Sequence, residues 1–194
     1  GEVRRRGVLC MCGGVVDGVG LGGRVRWGGR SGGWGGGGVG GDGWLILHRG
    51  IEVARGFGVF IRNGATGSNI AEYLALIEGL EALADLHLDK ESIEIHGDAK
   101  CVIDQMTGCA AISSTLTRSL YRRATRLARR FSNLTWVWIP RRQNKPADLL
   151  SRRGLRYLRY SPAPKNTRPP QTLHGGRFIP LVDLRIYAQK EAAG

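Results

Sequence analysis

Apolar residues recur along the middle of the chain with two different periods. Trp44-Leu-Ile-Leu-His and Ile51-Glu-Val-Ala-Arg-Gly-Phe-Gly-Val-Phe-Ile are runs rich in aromatic and aliphatic residues, separated by Arg49-Gly50. They predict two strands joined by a short turn. Ala65-Thr-Gly-Ser-Asn then leads into a helix, with Ser68 or Asn69 placed to cap it. Ile70, Leu74, Ile77 and Leu80 or Glu81 follow at helical spacing. Leu86, Leu88, Ile93 and Ile95 surround the approach to a strand ending at Asp98. Residues 99–106 read as a short helix broken near Gly108. A longer helix is predicted over roughly 115–131, where Leu116, Leu120, Ala124, Leu127 and Phe131 form an apolar stripe. Its other face carries Arg118, Arg122, Arg123, Arg126, Arg129 and Arg130, with no acidic residue expected to pair them. Thr135-Trp-Val-Trp-Ile is a strand closed by Pro140, and a last helix begins near Pro146.

The pattern breaks down at both ends. Residues 1–50 hold 20 of the 31 glycines, concentrated in 28–41, which predicts a flexible loop because backbone entropy outweighs what such a stretch can bury. Arg24, Arg26, Trp27, Arg30 and Trp34 in it could meet RNA by charge and stacking, against the plainer reading of a low-complexity insertion. Ser-Pro-Ala-Pro-Lys-Asn-Thr-Arg-Pro-Pro (161–170) cannot continue a helix and predicts an extended arm. Beyond it, Phe178-Ile-Pro-Leu-Val-Asp-Leu-Arg-Ile-Tyr is a short apolar segment suited to docking. The expected organisation is one domain over 1–160, with a Gly-rich insertion at about 22–43, and an extension over 161–194.

Charge narrows the class of partner. The net charge is +13, mostly from Arg, which suits bidentate contact with phosphate and points to nucleic acid. No run of about 18 apolar residues is present, so no membrane span is expected. The start, Gly-Glu-Val-Arg-Arg-Arg, has neither an initiator Met nor an apolar signal core, as in a fragment or a chain freed of an organelle (mitochondrial) transit peptide. Cys10, Cys12, Cys101 and Cys109 do not make a zinc pattern, and predict reduced, mostly buried thiols in an intracellular compartment.

Three carboxylates stand in distinctive settings: Glu72 in Ser-Asn-Ile-Ala-Glu-Tyr, Asp98 in Ile-His-Gly-Asp-Ala-Lys, and Asp148 in Arg-Arg-Gln-Asn-Lys-Pro-Ala-Asp-Leu-Leu. Their order and settings resemble the type 1 ribonuclease H family, over roughly residues 8–158. The resemblance implies an α/β fold, a five-stranded mixed sheet flanked by helices. It implies that Glu72, Asp98 and Asp148 hold two Mg²⁺ ions (Mn²⁺ as a substitute) for cleavage of the RNA strand of RNA–DNA hybrids. Ser68 and Asn69 fall where the family meets the RNA strand, expected at its 2′-hydroxyl. The family's Thr-Asn-Asn is here Gly67-Ser68-Asn69. Its mobile His before the last Asp is absent, and Arg141 and Arg142 stand in that region. With Arg122, Arg123, Arg126 and Arg130 they are the expected nucleic-acid contacts. His96 reads as a strand side chain.

The family has a fourth carboxylate at the end of its first strand, in Asp-Gly-Gly or Asp-Gly-Ser. Two registers compete for it. Val8-Leu-Cys-Met-Cys12-Gly-Gly aligns the glycines and puts Cys12 where the acid belongs. Gly14-Val-Val-Asp17-Gly supplies Asp17 but loses the glycine pattern downstream. Asp42 is a third candidate, placed by its neighbour Trp44 in the second strand. With Asp17 in the site the chain is expected to be an active endonuclease. With Cys12 there, it is expected to be an impaired, RNA-binding module of a ribonucleoprotein such as an organelle ribosome, because thiol is a poor Mg²⁺ ligand.

Overall fold

The computed structural model describes residues 8–16, 39–61, 69–160, 176–178 and 182–183. Its elements are β1 (Val8–Val16), β2 (Val39–His48), β3 (Ile51–Ile61), α1 (Asn69–Asp85), β4 (Ser92–Gly97), α2 (Lys100–Met106), α3 (Thr115–Ala128), β5 (Asn133–Trp138) and α4 (Lys145–Tyr160), followed by the short β6 (Gly176–Phe178) and β7 (Val182–Asp183). β1, β2 and β3 form an antiparallel meander, and β4 and β5 join parallel to β1 on its other side. The sheet order is β5-β4-β1-β2-β3-β6. Among the described residues no helix is long and apolar enough to cross a membrane.

The sheet is larger than the five strands expected. β6 and β7 both pair parallel with β3, so part of the C-terminal extension docks on the sheet edge. β2 also starts earlier than expected. Inside the Gly-rich stretch, Gly40 to Gly43 pair with Val16 to Gly13 on one side, and Val39 to Gly43 pair with Ile61 to Phe57 on the other. Two flanking ladders supply backbone hydrogen bonds that the glycines could not secure alone. The β2–β3 turn falls where Arg49-Gly50 predicted it, both residues having positive φ, 54° and 80°.

Helix α1 is the centre of the main core. Ile70, Leu74, Ile77 and Leu80 are buried as predicted, and Ala71, Tyr73, Ala75 and Leu76 are buried with them. The helix lies between the sheet and α3, which explains why it is apolar nearly all round. The α3 stripe packs against it through Leu120 and Ala124, with Leu116, Leu127 and Phe131 alongside. One correction concerns the arginine face, expected to have no acidic partner: Arg123 reaches Glu81 of α1 at 2.5 Å. The opposite side of the sheet is covered by α4, where Leu45, Ile139, Ala147 and Leu150 form a second cluster. The thiols divide evenly: Cys10 and Cys12 are buried and Cys101 and Cys109 exposed, so "mostly buried" does not hold, although all four are free.

The core contains a buried acid pair. Asp42 is 2 % exposed and Glu78 6 %. The Trp44 indole N–H donates to Glu78 Oε2 at 3.1 Å. Burial, the largest cause, pushes Asp42 up to about 7, and burial and the Asp42 charge raise Glu78. Both acids therefore favour the protonated form when folded. Their contribution to stability is present below the unfolded carboxylate range and is lost as pH rises towards 7. The melting temperature of the wild type is expected to fall by several degrees between pH 5 and pH 8 relative to Asp42→Asn. Parallel pH profiles of the two proteins in a thermal scan would rule this out.

Candidate active site

The parallel pairing of β1 with β4 assembles the site. Cys12 lies opposite Gly97, the residue before Asp98, and on the far side Gly97 lies opposite Trp138 at the end of β5. Glu72 stands in the first turn of α1 and lines the same small cavity as Cys12, His96 and Gly97. Asp148 stands in the first turn of α4. The backbone N–H of Asp148 donates to the Asn144 carbonyl at 3.1 Å, which continues the helix from the 3-10 turn at Arg141–Gln143.

Asn144 links the strand ends. Its side-chain N–H₂ donates to the Cys12 carbonyl at 2.7 Å and also to Asp98 Oδ1. Asn144 is fully buried, and its own Oδ1 lacks a partner. The residue joined to Asp98 through this amide is thus Cys12. Asp17 lies outside the described residues, as does Ser68. Asp42 belongs to β2 as expected, but it lies opposite Gly14 and turns to Glu78, which leaves Cys12 at the β1 position beside Asp98.

Arg141, with Arg152, supplies the positive charge around Asp148. Arg141 Nη2 donates to Asp148 Oδ1 at 2.6 Å, and Arg152 Nε donates to Oδ2 at 2.9 Å. Burial works against the ionised Asp148, yet the hydrogen bonds from both guanidiniums hold it below its ordinary range. The hydrogen bond to Asp148 raises Arg141, opposed by partial burial and reinforced by the charges of Asp148, Asp98 and Glu72. The field of one guanidinium therefore spans all three acids. Arg142 is exposed beside it. His96 is a strand residue, as predicted, with Nε2 at 2.9 Å from Glu94.

The thiol behaves differently from a carboxylate. Cys12 is 4 % exposed, and its Sγ is 3.6 Å from that of Cys10. Both pack under Gly79 of α1, where an added Cβ would come within 2.9 Å of Cys10 Sγ. The hydrogen bond to Cys10, then burial, then the charges of Cys10, Glu72 and Glu78 push the Cys12 thiol well above its ordinary range. It is neutral at physiological pH, and a neutral soft donor does not suit Mg²⁺. Glu72, Asp98 and Asp148 supply hard oxygens, but both Asp148 oxygens are held by arginines. Among the described residues no three His, Cys, Asp or Glu side chains converge closely enough to hold a metal as they stand. The donor set does not fit a two-ion centre.

Sequence reading missed Asn144, Arg152 and Trp138. Asn144 was legible only as a neighbour of Asp148, since its partners are 132 and 46 residues away. Asn69 begins α1, and its amide donates to Cys101 Sγ at 3.5 Å at the exposed start of α2.

This sheet order, with acids at the strand ends and at the first turns of α1 and α4, defines a ribonuclease H-like protein. The reverse transcriptase-like family matches residues 35–154, and the chain belongs to it. Ribonuclease HI of Halobacterium salinarum is 35% identical over 117 residues, 60% of this chain and 53% of that protein. The crystal structure of RNase H1 from the same archaeon superposes with a TM-score of 0.59 at 31% identity, covering 77% of this chain and 97% of that one. The N-terminal RNase H domain of Rv2228c from Mycobacterium tuberculosis gives 0.58 at 25%, covering 77% and 93%. The chain spans about half of the archaeal curated relative and 24% of the bifunctional protein Rv2228c.

Proposed function

We propose that this chain grips the RNA strand of an RNA–DNA hybrid across the Glu72–Asp98–Asp148 cleft, and that hydrolysis there is impaired by the thiol at position 12. The observation that carries this reading is the position of Cys12, whose carbonyl shares the Asn144 amide with Asp98. The ribonuclease H relatives support the class of substrate. A structural neighbour at 23% identity, LC11-RNase H1, is described in complex with an RNA/DNA hybrid.

Residues of the chain itself support recognition. The Asp148–Arg141–Arg152 cluster presents two guanidiniums in fixed positions, suited to a backbone phosphate. Asn69, at the cleft edge, would meet the 2′-hydroxyl that separates RNA from DNA. Further along, Arg118, Arg122, Arg126, Arg129 and Arg130 are exposed on α3 and its end, forming a track for the phosphate backbone. A second reading, an Mg²⁺-dependent endonuclease, is favoured by the three hard carboxylates Glu72, Asp98 and Asp148, which stand at a strand end and at the first turns of α1 and α4.

The test is an anisotropy titration of a labelled hybrid across a range of salt concentrations. The wild type is expected to bind hybrid more tightly than DNA duplex of the same sequence. Reversal of Arg122, Arg126, Arg129 and Arg130 to Glu should weaken binding and flatten the log–log salt slope by about 0.9 for each phosphate that is no longer neutralised. An unchanged slope would remove α3 from the footprint. Equal affinity for hybrid and DNA duplex would sink the hybrid reading.

A further inference from the structure

Trp138 is an exposed aromatic residue held in place. It ends β5, the edge strand, and remains 47 % exposed. Its indole N–H donates to the Asp98 backbone carbonyl at 3.2 Å, and the next residue's N–H donates to the Gly97 carbonyl at 3.0 Å. The ring is therefore tied to the backbone of a cleft acid and carried on a paired strand. In the sheet Cys12, Gly97 and Trp138 lie in one row, so the side chains of Cys12 and Trp138 leave the same face. Trp136, two residues earlier, packs on the core, so Trp138 is where this aromatic edge reaches solvent.

Its surroundings favour one occupant. Exposed Lys100 opens α2 beside Asp98, and exposed Arg141 and Arg142 follow Trp138 by three and four residues. Lys100 is paired with Asp104 at 2.6 Å, so Arg141 and Arg142 are the cations nearest along the chain. A rigid π-face followed by them suits a nucleotide, whose base or sugar packs on the ring while its phosphate meets the guanidiniums. An acidic protein segment would match the charge but not the flat face.

We propose that Trp138 is a substrate-contacting residue, packing its exposed indole face on a nucleotide next to the phosphate met by Arg141. This rests on the hybrid-binding reading above. The Nε1 bond to Asp98 orients the ring, while affinity comes from the ring face.

The experiment compares wild type, Trp138→Phe and Trp138→Ala in anisotropy titrations with the labelled hybrid. Tryptophan fluorescence is followed in parallel, and a thermal scan of each protein monitors folding. Trp138→Ala is expected to raise Kd about 10-fold, within the range for loss of one stacked base. Trp138→Phe keeps an aromatic face and should stay within about 3-fold of wild type, because the N–H bond it loses only orients the ring. Hybrid should quench the wild-type emission more than that of Trp138→Phe. Wild-type affinity in Trp138→Ala overturns the proposal. Equal weakening by Phe and Ala also overturns it, since the N–H anchor rather than the ring face would then matter. A wild type that ignores the hybrid altogether removes the hybrid reading and this inference with it, whereas tight wild-type binding without Trp138 dependence removes this inference alone. Repeating the titration with an unpaired RNA overhang separates base from sugar: a further gain that needs Trp138 assigns the ring to a base, and no gain assigns it to a sugar.

Discussion

Cys12→Asp is expected to raise Mg²⁺-dependent cleavage of an end-labelled RNA–DNA hybrid by roughly 100-fold or more over the parent chain. Loss of an outer hydrogen-bonding partner of a metal ligand already costs about 10–100-fold, so loss of a ligand itself should cost at least as much. The parent has a buried, neutral thiol in that position. An Asp there would stand beside Glu72 and near Asp98, where converging carboxylates repel unless a cation is present. Two consequences follow from that repulsion. Without divalent ions Cys12→Asp should melt below the parent. On adding Mg²⁺ its melting temperature should rise by more than the parent's, because an ion bound only by the folded state stabilises it. The thermal shift is independent of turnover, so it separates a failure to bind metal from a failure to cut. Asp98→Asn in the same background should abolish the gain. A parent that already cuts hybrid at a comparable, Asp98-dependent rate would show that the thiol does not limit the reaction.

The second large effect concerns the fold. Gly43→Ala is expected to cost about 2–3 kcal/mol, the range for overpacking a tight interface. A Cβ at this position would lie 2.5 Å from the Ser151 backbone N, 2.7 Å from the Ala147 carbonyl O and 2.8 Å from Leu150 Cβ. Two of those atoms are helix backbone, so α4 as a whole would have to move off β2. Asp148 lies between Ala147 and Leu150, so the cleft should loosen together with the fold. Gly50→Ala is the control. Nothing lies within 4 Å of its added Cβ, and only its φ of +80° opposes the change, which should cost about 1 kcal/mol. Denaturant melts of the two variants decide the matter. Equal, small losses would mean that the α4–β2 contact has slack that the structure does not show.

The same two positions show how far the chain could be read from its residues. The helices were legible because apolar residues recur at helical spacing: Leu120 and Ala124 of α3, and Ile70, Leu74 and Ile77 of α1, are buried as that spacing requires. Glu72, Asp98 and Asp148 were legible because each stands at a local boundary, the first turn of a helix or the end of a strand, which neighbouring residues mark. The turn at Arg49-Gly50 is equally local. What could not be read is whatever depends on partners far along the chain. Val39–Gly43 is Gly-rich and by composition a loop, yet it is β2 because β1 and β3 pair with both of its edges. The glycines at 41 and 43 then serve close approach by α4 rather than flexibility.

The choice between Cys12 and Asp17 depends on the register of two parallel strands more than 80 residues apart, which no short window of residues contains. The pairing of Arg123 with Glu81, the burial of Asp42 against Glu78 and the anchoring of Trp138 on Asp98 have the same origin. Residue type and spacing thus determined by themselves which elements form and which acids stand at their ends. Only the tertiary structure decided which residue meets them across the sheet, because strand register is set by the fit of whole faces and not by any one residue's preference.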